Sequence, residues 1–150
     1  MNIAIELGGK IFKRGEKGSC RIHVGKSSNG AEVFLPCTVV AGKHSGSRLL
    51  LVFCQHGDEV SPLSGWYQLY QSLNPGNISG EIIALTVANP SAFEGRLRDS
   101  WIDGLHGDNG NLNRVWPGRS DGWYVEQLAY VMEKELFSKP CECVIDFHDG

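Results

Sequence analysis

The sequence predicts an α/β fold: a mixed, largely parallel sheet flanked by helices, with an antiparallel edge hairpin at its N-terminal side. Three observations carry this. "RLLLVFC" (residues 48–54) and "EIIALTV" (81–87) are almost continuously apolar, as expected of strands covered on both faces. Two other segments place apolar residues at helical spacing. The resulting order of strand, helix, strand, long loop, helix, strand is the one that right-handed crossovers impose on a parallel sheet.

Taken in order, residues 1–18 are polar and glycine-rich and read as a peripheral lead-in or short hairpin rather than a core element. Residues 19–150 form the body. "SCRIHVG" alternates around Cys20, Ile22 and Val24, and "AEVFLPCTVVAG" is rich in β-branched residues, with the turn chemistry of "KSSNG" between them. This pair is the edge hairpin. After "RLLLVFC", the positions Leu63, Trp66, Tyr67, Tyr70 and Leu73 form a helical stripe with Ser61-Pro62 near its start, and "NPGNISG" ends it. Beyond "EIIALTV", residues 88–121 show no periodicity. Such a length exceeds the ~15 residues beyond which loops are usually functional or disordered, and its tryptophans and prolines predict an ordered one. Val125, Leu128, Ala129, Met132 and Leu136 then predict a second helix, with Asp121 as N-cap and Pro140 as stop. "CECVIDF" is the last strand.

With 150 residues, the chain is the size of one domain, and its 41% hydrophobic and 21% charged residues are those of a soluble globular protein. No apolar stretch approaches the ~18 residues that span a bilayer, and the N-terminus lacks a signal-peptide pattern. No membrane partner is therefore expected, and a cytoplasmic location is the simple assumption. Cys20, Cys37, Cys54, Cys141 and Cys143 form an odd set without C-x-x-C, which fits free thiols in a reducing compartment. The net charge of −3 argues against nucleic acid as a partner. Locally, Arg96, Arg98, Arg114 and Arg119 share the long loop.

Chemistry gathers at two strand ends. In open α/β sheets, ligands bind at the carboxyl ends of the strands, and both His56 of "FCQHGDEV" and His148 of "DFHDG" stand there. Glu59 can turn to the same side, which makes two imidazoles and a carboxylate, the donor set of catalytic zinc sites that keep a position for water. Solvated turn residues would read the same from spacing alone. Asp146, two residues before His148 and on the same strand face, is a candidate to orient that imidazole; a plain hydrogen-bonded Asp is the alternative. His23 and His44 read as surface or packing residues, and His106 is an outside candidate because it lies in the long loop.

"HGDE", "NPSAFEGRLR", "NLNRVWPG" and "DFHDG", in this order over residues 56–150, closely resemble the succinylglutamate desuccinylase/aspartoacylase family of zinc deacylases, relatives of the carboxypeptidase A-like metallopeptidases. The resemblance implies a zinc-carboxypeptidase-like fold, with 19–150 as the N-terminal portion of the catalytic domain. It implies one Zn2+ per chain held by His56, Glu59 and His148. It further implies that Arg98 polarises the scissile carbonyl, and that Asn113 and Arg114 hold a substrate carboxylate. Arg96 and Arg119 stay as surface ion pairs. The substrate would be a small N-acyl amino acid such as N-succinylglutamate or an N-acetyl-diaminobutyrate, with homo-oligomerisation left open. A zinc carboxypeptidase is the second enzyme reading. Where many relatives carry Asp, this chain has Asn111, and "LHGDNG" (105–110) resembles a small insertion before that motif. Family members take their general base from a glutamate well downstream of the third ligand, which predicts that this sequence is an N-terminal part of an enzyme. A catalytically silent zinc- or anion-binding fragment is the alternative of another class.

Overall fold

The computed structural model describes residues 3–102 and 107–149. Its elements are β1 (Ile3–Leu7), β2 (Lys10–Lys13), β3 (Glu16–Lys26), β4 (Glu32–Ala41), β5 (His44–Val52), α1 (Ser61–Ser72), β6 (Ser79–Leu85), α2 (Pro90–Gly95), α3 (Tyr124–Met132) and β7 (Cys143–Asp146). A π-helical turn, Glu133–Phe137, continues α3. The main sheet runs β3-β4-β6-β5-β7. Its β6, β5 and β7 are mutually parallel, whereas β3, β4 and β6 pair antiparallel. The mixed α/β architecture expected of the sequence is therefore present, with β3 and β4 as the hairpin at one edge.

The unbroken apolar run of β5 has a direct cause. Successive side chains of a strand point to opposite faces, and here both faces are covered. Leu50 and Val52 join Leu35, Val39, Ile83 and Leu85 in a core under Val125, Leu128, Ala129 and Met132 of α3. Leu51 and Phe53 join Ala84 on the other face, under Leu63 and Trp66 of α1. Burying side chains of this size stabilises by about 1.5–3 kcal/mol each. Trp66 is buried, and its indole N–H donates to Thr38 Oγ1 at 2.9 Å, so its polar end is satisfied. The stripe on α1 is narrower than expected, because Tyr67 is exposed while Tyr70 and Leu73 pack only partly.

Two expectations need correction. The lead-in is a hairpin, β1 with β2, yet it is not peripheral: Ile5, Leu7 and Phe12 are buried in the larger core. Its polar composition conceals this, because only every second strand residue has to be apolar. Asp121 does not cap α3. Its carboxylate is held by the Arg119 guanidinium at 3.3 Å, and the helix starts after Trp123, whose backbone N–H donates to Glu126 at 2.8 Å. Arg119 thus takes the surface ion pair expected of it, whereas Arg96 has none among the described residues. The long loop is ordered where described, with α2 and two short 3-10 turns, 107–109 and 112–114. His106 and part of "LHGDNG" lie outside the described residues. No helix among the described residues is long and apolar enough to cross a membrane.

Candidate metal centre

Strands β5 and β7 are parallel neighbours with Val52 paired to Asp146, so the segments that leave their carboxyl ends start side by side. One carries His56 and Glu59, the other His148. Ligand atoms of these three residues lie within 4.8 Å of one another. His56 and Glu59 are buried, whereas a third of the His148 side chain is exposed. The cluster is thus anchored on the inside and open at its rim.

Local chemistry explains why the chain folds this way. Gly57 is required by space: its backbone lies against α2, and a Cβ there would fall 1.9 Å from the Ala92 carbonyl carbon. Gly57 N–H also donates to Leu97 O at 2.9 Å, which ties the His56 turn to the segment bearing Arg98. Asn89, fully buried, caps α2 by accepting from Ala92 N, and its own N–H donates to Cys54 O at 3.1 Å. Arg96 ends α2 in the left-handed conformation, φ 51°, and its N–H donates to Phe93 O; the chain turns there towards Arg98. At the far side, Asp149 accepts from Ser61 N–H at 3.0 Å, which fastens the His148 segment to the start of α1, beside Glu59.

Glu59 sits at the centre of the charges. Its Oε1 lies 2.8 Å from His56 Nδ1 and 2.8 Å from Arg98 Nη1, and its Oε2 lies 2.6 Å from His148 Nδ1. Burial pushes its carboxyl up, but the hydrogen bonds from His148 and His56 outweigh this and hold it below the usual carboxylate value. Partial burial likewise opposes charging of His148, yet Asp146 and then Glu59 raise it above an ordinary histidine. Burial, then the nearby Asp149 and Glu59 charges, push the Cys54 thiol up to about 11, so it stays protonated and offers no thiolate ligand at neutral pH.

The donor set fits a metal ion. Both imidazoles turn Nδ1 towards the cluster, and both hold an acceptor at Nε2: Asn111 Oδ1 at 3.2 Å for His56, and Asp146 Oδ2 at 2.9 Å for His148. With Nε2–H held by an outer acceptor, each ring can give up the Nδ1 proton that it shares with Glu59 and coordinate a metal through Nδ1, which is the usual outer support of a metal-ligating histidine. Asn111 is buried, and its Oδ1 also accepts from Asn113 N–H at 2.9 Å, so it links the "NLNR" loop to His56. Arg114 is half-exposed, its Nε 3.7 Å from Asp108. His23 packs on Phe34 and pairs with Glu32, away from the cluster.

Two contributors escaped the sequence reading. Asn111 stood out only as a departure from a motif, with no signal that it touches His56. Gln55 carried no signal at all, yet its Nε2 donates to Asp146 Oδ2.

Comparison with known proteins gives a consistent result. A model of the succinylglutamate desuccinylase/aspartoacylase catalytic domain matches residues 45–150. The N-alpha-acetyl-L-2,4-diaminobutyric acid deacetylase of Halomonas elongata is 32% identical over 118 residues, which is 79% of this chain and 32% of that protein. The product-bound ectoine utilization protein of Ruegeria pomeroyi superposes with a TM-score of 0.80 at 28% identity, over 99% of this chain and 44% of its own. An aspartoacylase family protein from Mesorhizobium loti gives a TM-score of 0.75 at 30% identity, over 88% of this chain and 40% of its own. The chain thus spans about a third of the curated relative's length. With motifs, fold and the matched span in agreement, the chain belongs to the succinylglutamate desuccinylase/aspartoacylase family.

Proposed function

We propose that this chain carries the metal-binding part of a zinc-dependent deacylase that hydrolyses the amide bond of an N-acyl amino acid. The observation that carries the reading is the convergence of His56, Glu59 and His148 within 4.8 Å at the ends of two adjacent parallel strands. Residues 19–150 then read as the N-terminal portion of the catalytic domain. The deacetylase of Halomonas elongata, 32% identical over the shared region, favours an N-acyl diamino acid as substrate.

A zinc ion held by these three residues would polarise the substrate carbonyl and bring the pKa of a bound water towards ~7. The chain's own residues supply the rest. Arg98, with half of its side chain exposed beside Glu59, places a guanidinium where negative charge develops on the carbonyl oxygen. Asn113 and Arg114 receive the amino-acid carboxylate. Arg114 donates to Asn113 O at 3.1 Å and meets Asp108 in a long, exposed pair, of a kind worth at most about 1 kcal/mol, which a substrate carboxylate can replace. Asn111 holds His56 from behind, and its second bond keeps the backbone of Asn113 fixed relative to the cluster.

Metal analysis tests the reading. Purified protein should bind about one zinc per chain, as expected for three protein ligands that leave a fourth position for water. His56→Ala and His148→Ala should each abolish it, and full zinc content in the double variant would refute the site.

A further inference from the structure

Gln55 is unexplained by packing alone. Its side chain is buried at the carboxyl end of β5, where its Nε2 donates to Asp146 Oδ2 and its Oε1 is buried with no hydrogen-bond partner. An orphaned buried oxygen costs free energy, and an apolar residue of the same size would avoid it. Asp146 is the opposite case. It belongs to β7, the outer strand of the sheet among the described residues, a third of its side chain is exposed there, and its side-chain hydrogen-bond partners among those residues are Gln55 and His148. A carboxylate in that position is free to rotate into water unless something on the inside holds it. The only buried donor that reaches it among the described residues is the Gln55 amide. The amide has one workable orientation, since turning it over would set Oε1 against a carboxylate oxygen.

We propose that Gln55 is a positioning residue for the metal centre: its buried amide locks Asp146 so that Asp146 accepts from Nε2–H of His148, which leaves Nδ1 of His148 facing His56 and Glu59. The inference rests on the reading of this cluster as a zinc site. Among the described residues Gln55 has no hydrogen bond to His56, Glu59 or His148, and it acts through Asp146. The unpartnered Oε1 is then the structural consequence of requiring a donor, and only a donor, at this position.

The reading separates stability from metal binding. In Gln55→Met the orphaned oxygen is gone, so the melting temperature of the metal-free chain should stay equal or rise. Zinc affinity, measured by competition with a chromophoric chelator, should nevertheless fall about tenfold, the lower end of the effect of removing an outer partner of a ligating histidine. Asp146→Ala should cost at least as much, and Gln55→Met added to Asp146→Ala should cost nothing further, because the path is already cut. An independent readout follows the His148 ring itself: in the zinc-loaded chain its Nε2–H, held by Asp146, should exchange slowly with solvent in the wild type and faster in Gln55→Met. Unchanged zinc affinity and an unchanged Nε2–H exchange rate in Gln55→Met would overturn the proposal. So would additive losses in the double variant. Absence of zinc binding by the wild type would instead overturn the zinc assignment on which the proposal rests.

Discussion

Replacing Gly57 by alanine tests how tightly the turn from His56 to Glu59 is built against α2. The added Cβ would lie 1.9 Å from the Ala92 carbonyl carbon, 2.1 Å from its oxygen and 2.2 Å from Phe93 N. All are backbone atoms, so no side chain can swing aside. To regain ordinary van der Waals contact, α2 has to recede by roughly 1.5 Å, and the 2.9 Å bond from Gly57 N–H to Leu97 O cannot survive that. Overpacking costs about 1–3 kcal/mol and the lost hydrogen bond about 0.5–1.5 kcal/mol, so a loss of about 2–4 kcal/mol is expected. For a chain of this size that lowers the melting temperature by about 5–15 °C. Because Arg98 follows Leu97 in the displaced segment, its contact with Glu59 should be lost as well. Gly65 is the control. It lies inside α1, where an added Cβ would meet nothing within 4 Å, so Gly65→Ala should stabilise by about 0.5–1 kcal/mol through helix propensity. Thermal unfolding followed by circular dichroism compares the two. Equal melting temperatures for Gly57→Ala and Gly65→Ala would refute the close approach of α2 to the His56–Glu59 turn.

Asn111→Leu leaves His56 Nε2–H and Asn113 N–H without their acceptor, at about 1–3 kcal/mol for each donor that stays buried, and should loosen zinc about 10–100-fold. Asn111→Asp keeps the acceptor and should retain tight binding; calorimetric titrations in which both variants bind like wild type would refute the role of Asn111. Stability of the metal-free chain should depend on pH in two opposite senses. Glu59 is held below its ordinary value of 4.5, so its contribution is present above that pH and is lost as pH falls through the lowered value. His148 is raised above 6.5, so its contribution is present below that pH and is lost as pH rises through the raised value. The pair therefore stabilises most between those limits, and the urea midpoint of wild type should exceed that of His148→Ala there and converge with it at alkaline pH. Zinc affinity should rise over the same range, because coordination displaces the His148 proton; a pH-independent affinity would contradict a histidine ligand.

The fold was legible where periodicity is local. β5 and β6 announce themselves because both faces of each are covered, and α1 and α3 because one stripe of each meets a core. The β1–β2 hairpin was misplaced because a strand with one buried face shows only alternate apolar residues, and glycines and charges dilute Ile5, Leu7 and Phe12 to near invisibility. The cap of α3 was misassigned because Asp121 satisfies the composition rule for an N-cap, while its nearest cation, Arg119, competes for the same carboxylate. Among the candidate site residues, His56, Glu59 and His148 lie with ligand atoms within 4.8 Å of one another, and Arg98 reaches Glu59.

What the sequence by itself determined is therefore the set of strands and helices, the family motifs, and which side chains have the chemistry of ligands. Each of these is written within a few neighbouring residues, as hydrophobic period, turn chemistry or motif. Only the tertiary structure decided what holds those ligands: Asn111 behind His56, Asp146 and Gln55 behind His148, Asp149 on α1, and Ala92 against Gly57. Those contacts depend on strand register and on the approach of backbones far apart in the chain. Gln55 and Asp146 meet across a separation of 91 residues because β5 and β7 pair with Val52 opposite Asp146, and no local pattern encodes that register.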